Sequence, residues 1–153
     1  MITFEELLNR DGVLVYKTKG VSMEPMLRQN RDLVIIRTTS ARLKKYDVAL
    51  YKRDNEYVLH RVIDVKKGYY LFRGDNTYVL ENVPDKAVLG ILTGFQRKGR
   101  KHDVSETGYR LYVRVWSAAY PLRKLYLQSC NKIRNVSVKW GIIPLIKRLV
   151  RHE

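Results

Sequence analysis

The apolar positions of this chain change period twice. Residues 2–8 set Ile2, Leu7 and Leu8 among polar neighbours, and Thr3 stands three residues before Glu6, the spacing of a capping box, ahead of a turn at Asp11-Gly12. A short N-terminal helix within 1–12 follows. From residue 13 to about 96 the apolar runs are short and rich in Val, Ile, Leu and Tyr, at 13–16, 33–37, 48–51, 57–65, 69–73 and 88–95. Residues that tolerate tight backbone separate several of them: Arg53-Asp54-Asn55, Lys66-Lys67-Gly68 and Gly74-Asp75-Asn76. The pattern predicts a mainly β domain over 13–96, largely antiparallel.

Residues 97–108 are polar and punctuated by glycine, so they are expected to form a linker. Beyond them the period becomes helical. Tyr109, Tyr112, Val113, Trp116 and Tyr120 form one stripe, interrupted at Pro121, and Leu122, Leu125, Tyr126 and Ser129 form a second. A third places Ile142, Ile143, Ile146, Leu149 and Val150 opposite Lys147, Arg148 and Arg151. The expectation for 109–153 is a tail of basic amphipathic helices. These stripes either pack on the β domain and on each other or lie in a membrane interface.

Composition narrows the classes. The chain has 153 residues, 45% of them hydrophobic, with 9 Gly and 4 Pro, enough apolar side chain for a folded core and unlike a disordered or collagen-like polymer. Cys130 is the one cysteine, which excludes an internal disulfide scaffold and a cysteine-rich metal cage. Neither a cofactor nor a metal is expected. No apolar stretch reaches bilayer-spanning length, and residues 1–20 carry Glu5, Glu6 and Asp11 without a signal-peptide core. A cytoplasmic location, peripheral at the membrane if the tail binds there, is the expectation.

Charge divides the chain unevenly. Of the formal net charge of +15, residues 1–96 hold 16 basic and 12 acidic side chains and residues 97–153 hold 14 and 3. Such a tail attracts polyanions: an anionic membrane surface, nucleic acid or an acidic partner. Nucleic acid fits less well, since no helix-turn-helix precedes the β domain.

The β segment also contains the residue types of nucleophilic catalysis. Ser22 lies in Gly20-Val21-Ser22-Met23-Glu24-Pro25-Met26, His60 in Val58-Leu59-His60-Arg61-Val62, and two acids, Asp75 and Glu81, follow. A serine hydroxyl needs a base to take its proton as it attacks a carbonyl, and a largely neutral imidazole serves at pH 7. A carboxylate on the other ring nitrogen fixes the tautomer. Taken singly, each residue is equally at home in an ordinary strand or turn.

In combination these stretches resemble the S24/S26 serine peptidases, the family of type I signal peptidases and the self-cleaving LexA-like repressors. The Ser22-Met23-Glu24-Pro25-Met26 run is similar to the nucleophile box. Arg31-Asp32-Leu33-Val34 is similar to the segment after it, although Asn30-Arg31 stands where a glycine is usual. Tyr46-Asp47-Val48-Ala49-Leu50-Tyr51, Leu59-His60-Arg61-Val62-Ile63, Gly74-Asp75-Asn76 and Val88-Leu89-Gly90 follow in the family's order over roughly 13–96. His60-Arg61-Val62 resembles the endoplasmic-reticulum and archaeal type, whose base is histidine rather than lysine.

The resemblance implies a signal-peptidase/LexA-like β domain carrying Ser22 as nucleophile and His60 as general base. It places the triad acid several residues after the Gly-Asp-Asn turn, at Glu81, with Asp75 also required. Of the two, Asp75 is favoured, because Glu81 brings an extra methylene to geometry that tolerates little displacement. Gly20 stands where the family often has an oxyanion-holding hydroxyl, which leaves that task to backbone N–H groups such as that of Ser22.

The expected activity is that of a serine endopeptidase cleaving a peptide or leader sequence, with the small-residue preference before the cut that the family implies. Extended substrate would pair with a sheet edge. The alternatives are a non-catalytic or regulatory LexA-like module that binds nucleic acid or a partner protein, and a non-catalytic partner subunit.

Overall fold

A computed structural model describes residues 2–139, so the stripe expected over 142–150 lies outside the described residues. The protein is mainly β. Helix α1 (Phe4–Asp11) precedes strands β1 (Val13–Lys17), β2 (Leu33–Arg37), β3 (Val48–Arg53), β4 (Glu56–Lys66), β5 (Tyr69–Arg73), β6 (Glu81–Pro84), β7 (Val88–Arg97) and β8 (Arg100–Asp103). Helices α2 (Thr107–Ala118) and α3 (Tyr120–Lys139) follow. Residues 2–117 form one compact unit and α3 lies in a second.

The predicted capping box closes α1. The Thr3 hydroxyl accepts from the Glu6 N–H at 3.2 Å, and the Thr3 N–H donates to the Glu6 carboxylate at 2.7 Å. Gly12, at φ 69°, ends the helix in the left-handed region.

All strand pairings are antiparallel, in the order β1-β2-β7-β3-β4-β5-β6, with β8 added to β7, and the sheet curls. Irregularities at Ile35/Ile36, Leu50/Tyr51 and Val62/Asp64 bend the strands where the curl requires it. Both faces of the central strand are covered, so β3 reads as an unbroken apolar run. Val48 and Leu50 enter a core with Met26, Leu27, Val34 and Leu92, whereas Ala49 and Tyr51 enter a second with Val62, Phe72 and Val83.

Two strands depart from expectation. The segment expected to be a linker over 97–108 instead contains β8, which hairpins back on β7 through Lys98 and Gly99, both at positive φ. Also unpredicted, β6 ends the sheet and contains a single buried side chain, Val83, with Pro84 at its end.

Helix α2 packs part of its stripe on the β domain: Val113 is buried and Tyr109 and Tyr112 border the first core. Pro121 occupies the first turn of α3, where its missing N–H costs nothing. Among the described residues no helix is long and apolar enough to cross a membrane.

Candidate active site

Ser22 sits on the loop between β1 and β2, which is held from both ends. Thr18 donates its N–H to the Asp32 carbonyl, and Asn30 donates its N–H to the Thr18 carbonyl. The fully buried Asp32 carboxylate takes the Arg28 N–H at 2.8 Å and the Arg31 guanidinium at 2.6 and 2.8 Å. Met23, Met26 and Leu27 anchor the loop in the first core. These anchors leave Ser22 partly exposed at the rim of a cavity of about 840 Å³, which His60, Glu81, Tyr16 and Phe4 also line.

His60 is in the middle of β4, 6% exposed, paired across the ladder with Ala49. Its diagonal neighbour Tyr51 reaches it on the same face: the Tyr51 hydroxyl is 3.1 Å from His60 Nδ1. That hydroxyl donates to Glu81 Oε2 at 2.8 Å, and Glu81 Oε1 is 3.4 Å from Nδ1. Arg53 Nη1 holds the carboxylate from the other side at 2.9 Å. Since the Tyr51 proton is spent on Glu81, both oxygens facing Nδ1 accept, which assigns the ring proton to Nδ1 and the lone pair to Nε2.

Nε2 looks the other way, toward Gly74 on the turn after β5. A Cβ built on Gly74 would lie 3.0 Å from His60 Nε2 and 2.6 Å from the Ser22 carbonyl oxygen. Only a residue without a side chain lets these three segments meet. Asn76 completes the junction, its N–H donating to the Ser22 carbonyl at 2.7 Å and its side-chain amide to the Val21 carbonyl at 3.2 Å. Neither the Ser22 hydroxyl nor its backbone N–H hydrogen-bonds a described residue, the His60 ring included.

The two candidate acids are separated. Glu81 faces His60, whereas the buried Asp75 carboxylate receives Arg61 Nε and Nη2 at 2.8 and 2.7 Å and the Tyr112 hydroxyl at 3.0 Å. Asp75 therefore pairs with Arg61, and of the two acids it is Glu81 that lies beside the His60 ring. From α2, Trp116 Nε1 donates to the Asp75 carbonyl at 3.1 Å, so this helix braces the turn that touches Ser22 and His60.

Burial lowers the pKa of His60 below its ordinary 6.5, against the opposing charge of Glu81. Burial, reinforced by the Glu81 hydrogen bond, raises that of Tyr51, so the tyrosine stays protonated. Gly20 has φ 78°, which explains glycine two residues before Ser22 as a backbone requirement. The motif reading of the sequence gives Tyr51, Arg53 and Arg61 no role of their own, although Tyr51 and Arg61 fall inside its boxes; the signal for Tyr51 is its register position on β3, diagonal to His60. Among the described residues no group of three or more His, Cys, Asp or Glu is placed to hold a metal ion.

Compared with known proteins, the chain matches no family model and no curated protein.

Proposed function

We propose that the protein is a serine endopeptidase of the signal-peptidase-like S24/S26 type, with Ser22 as nucleophile, His60 as general base and Glu81 as the acid that orients it. One observation carries the reading: the two nitrogens of His60 have opposite surroundings, Nδ1 against Glu81 and Tyr51, and Nε2 toward the Gly74 turn, which also closely approaches the Ser22 carbonyl. That polarity is what a base needs to accept a proton at one nitrogen while a carboxylate steadies the charge gained at the other.

In this mechanism Ser22 Oγ attacks a peptide carbonyl as its proton passes to His60 Nε2. The tetrahedral oxyanion is held by backbone donors, chiefly the Ser22 N–H, which no described residue occupies. His60 returns the proton to the leaving amine, and water, activated by the same nitrogen, hydrolyses the acyl-enzyme. Closure of the Ser22 hydroxyl onto Nε2 accompanies substrate binding, as catalytic hydrogen bonds commonly tighten only in the complex.

A fluorophosphonate acylates serines activated in this way. The reagent is expected to modify Ser22, with the adduct located by mass spectrometry. Ser22→Ala should abolish that adduct, and His60→Ala should slow its formation in the folded protein by about 10²-fold or more. Equal labelling in His60→Ala would refute the assignment of the base.

A further inference from the structure

The C-terminal helices carry exposed faces of a single chemistry. While α2 turns Tyr112 and Trp116 toward the Asp75 turn, it also presents Leu111 and Val115, one helical turn apart and 61% and 60% exposed. Arg110 and Arg114 are exposed beside them. Taken by itself, α3 has the same arrangement: Leu122, Leu125 and Tyr126 lie at i, i+3 and i+4 and are 74%, 64% and 68% exposed, with Lys124 exposed among them. These five are nearly half of the eleven large hydrophobic residues exposed among the described residues, so the exposure is concentrated rather than scattered.

Charge on these helices is equally one-sided. Residues 107–139 contain seven Lys or Arg and no Asp or Glu, and Glu106, one turn before Arg110, is the nearest acid ahead of them in the chain. A solvated helix face ordinarily mixes both signs.

We propose that α2 and α3 each supply a docking face for an anionic lipid bilayer, the aliphatic and tyrosine side chains entering the headgroup boundary and the arginines and lysine meeting lipid phosphate. A duplex nucleic acid would use the cations but leave Leu111, Val115, Leu122 and Leu125 in water, whereas a bilayer interface takes both kinds of side chain at once. The charge pattern therefore selects an anionic surface, and the interleaved apolar residues select lipid as its source. The proposal is independent of whether Ser22 is a nucleophile.

Sedimentation of the full chain with phosphatidylcholine vesicles, with and without phosphatidylserine, tests it. Binding should require phosphatidylserine. The double variants Leu111→Gln/Val115→Gln and Leu122→Gln/Leu125→Gln should each weaken binding by about tenfold or more, with unchanged melting because these side chains are already in water. Arg110→Glu/Arg114→Glu should weaken it as well. Failure to sediment with phosphatidylserine vesicles overturns the proposal. So does sedimentation that the glutamine variants leave unchanged, a result that, with steeply salt-dependent binding to duplex DNA, would assign the surface to nucleic acid.

Discussion

His60 carries its chemistry in the difference between its ring nitrogens, and burial adds a pH dependence to that difference. With its pKa lowered chiefly by desolvation, the imidazole stays neutral in the folded protein at pH values where the unfolded chain has already taken up a proton. The sign follows from linkage. Above pH 6.5, the ordinary value, the contribution of His60 to stability is fully present. As pH falls below that value the unfolded state binds more protons, and stability declines until the folded-state pKa is passed. The same shift sets the acid limb of reactivity. The rate of fluorophosphonate labelling at Ser22, followed from roughly pH 8 to pH 5, should fall with a midpoint below 6.5. A midpoint at or above the ordinary histidine value would mean that the ring is more accessible to water than its packing under Tyr51 and Glu81 implies.

At the scale of elements, the site is a junction of the β1–β2 loop, strand β4 and the turn after β5, and Gly74 is where the three touch. Gly74→Ala places a methyl group 2.6 Å from the Ser22 carbonyl, so the β1–β2 loop must shift at Ser22. Labelling of the folded protein should fall by about 10²-fold, the cost of an ångström-scale misplacement. Gly90→Ala supplies the control. Its Cβ would lie 2.7 Å from the Arg37 carbonyl, within the β2–β7 pairing and outside the site, so it should lower the melting temperature and leave labelling unchanged. If the two variants label alike, the junction does not position Ser22.

This junction was only partly legible in the sequence. The long strands were readable because their apolar residues face buried cores, and α1 because its cap is made of adjacent residues. Strand β6 hid because an edge strand needs little apolar surface and tolerates Pro84, and β8 because a charged hairpin is held by backbone pairing. The order of Ser22, His60, Asp75 and Glu81 gave the candidates. Which acid faces which cation was not readable, because it depends on the side of β4 from which each is approached. Arg61, next to His60 in the chain and turned to the opposite face, takes Asp75 and leaves Glu81 to the histidine.

Across the whole molecule, Arg61 is the point where separate parts of the chain are tied together. Arg61 is 1% exposed, and from β4 its guanidinium reaches the Asp75 carboxylate twice, the Tyr46 carbonyl at 3.0 Å, the Tyr109 hydroxyl of α2 at 3.2 Å and Met26 Sδ of the β1–β2 loop at 3.2 Å. A cation so placed is tolerable only while its carboxylate is present, since removing one partner of a buried pair leaves the other charge desolvated. The two acids should therefore fail in different ways. Asp75→Ala is expected to cost about 3–5 kcal/mol in urea unfolding, whereas Glu81→Gln, isosteric and partly exposed, should change stability by about 1 kcal/mol or less. Labelling reverses the order: Glu81→Gln should slow modification of Ser22 by about 10²-fold or more, because a neutral amide no longer stabilises the imidazolium. Asp75→Ala should retain more of the labelling rate in whatever fraction remains folded. A Glu81→Gln protein that labels at the normal rate would remove Glu81 from the triad and leave its contact with His60 a packing feature of the sheet edge.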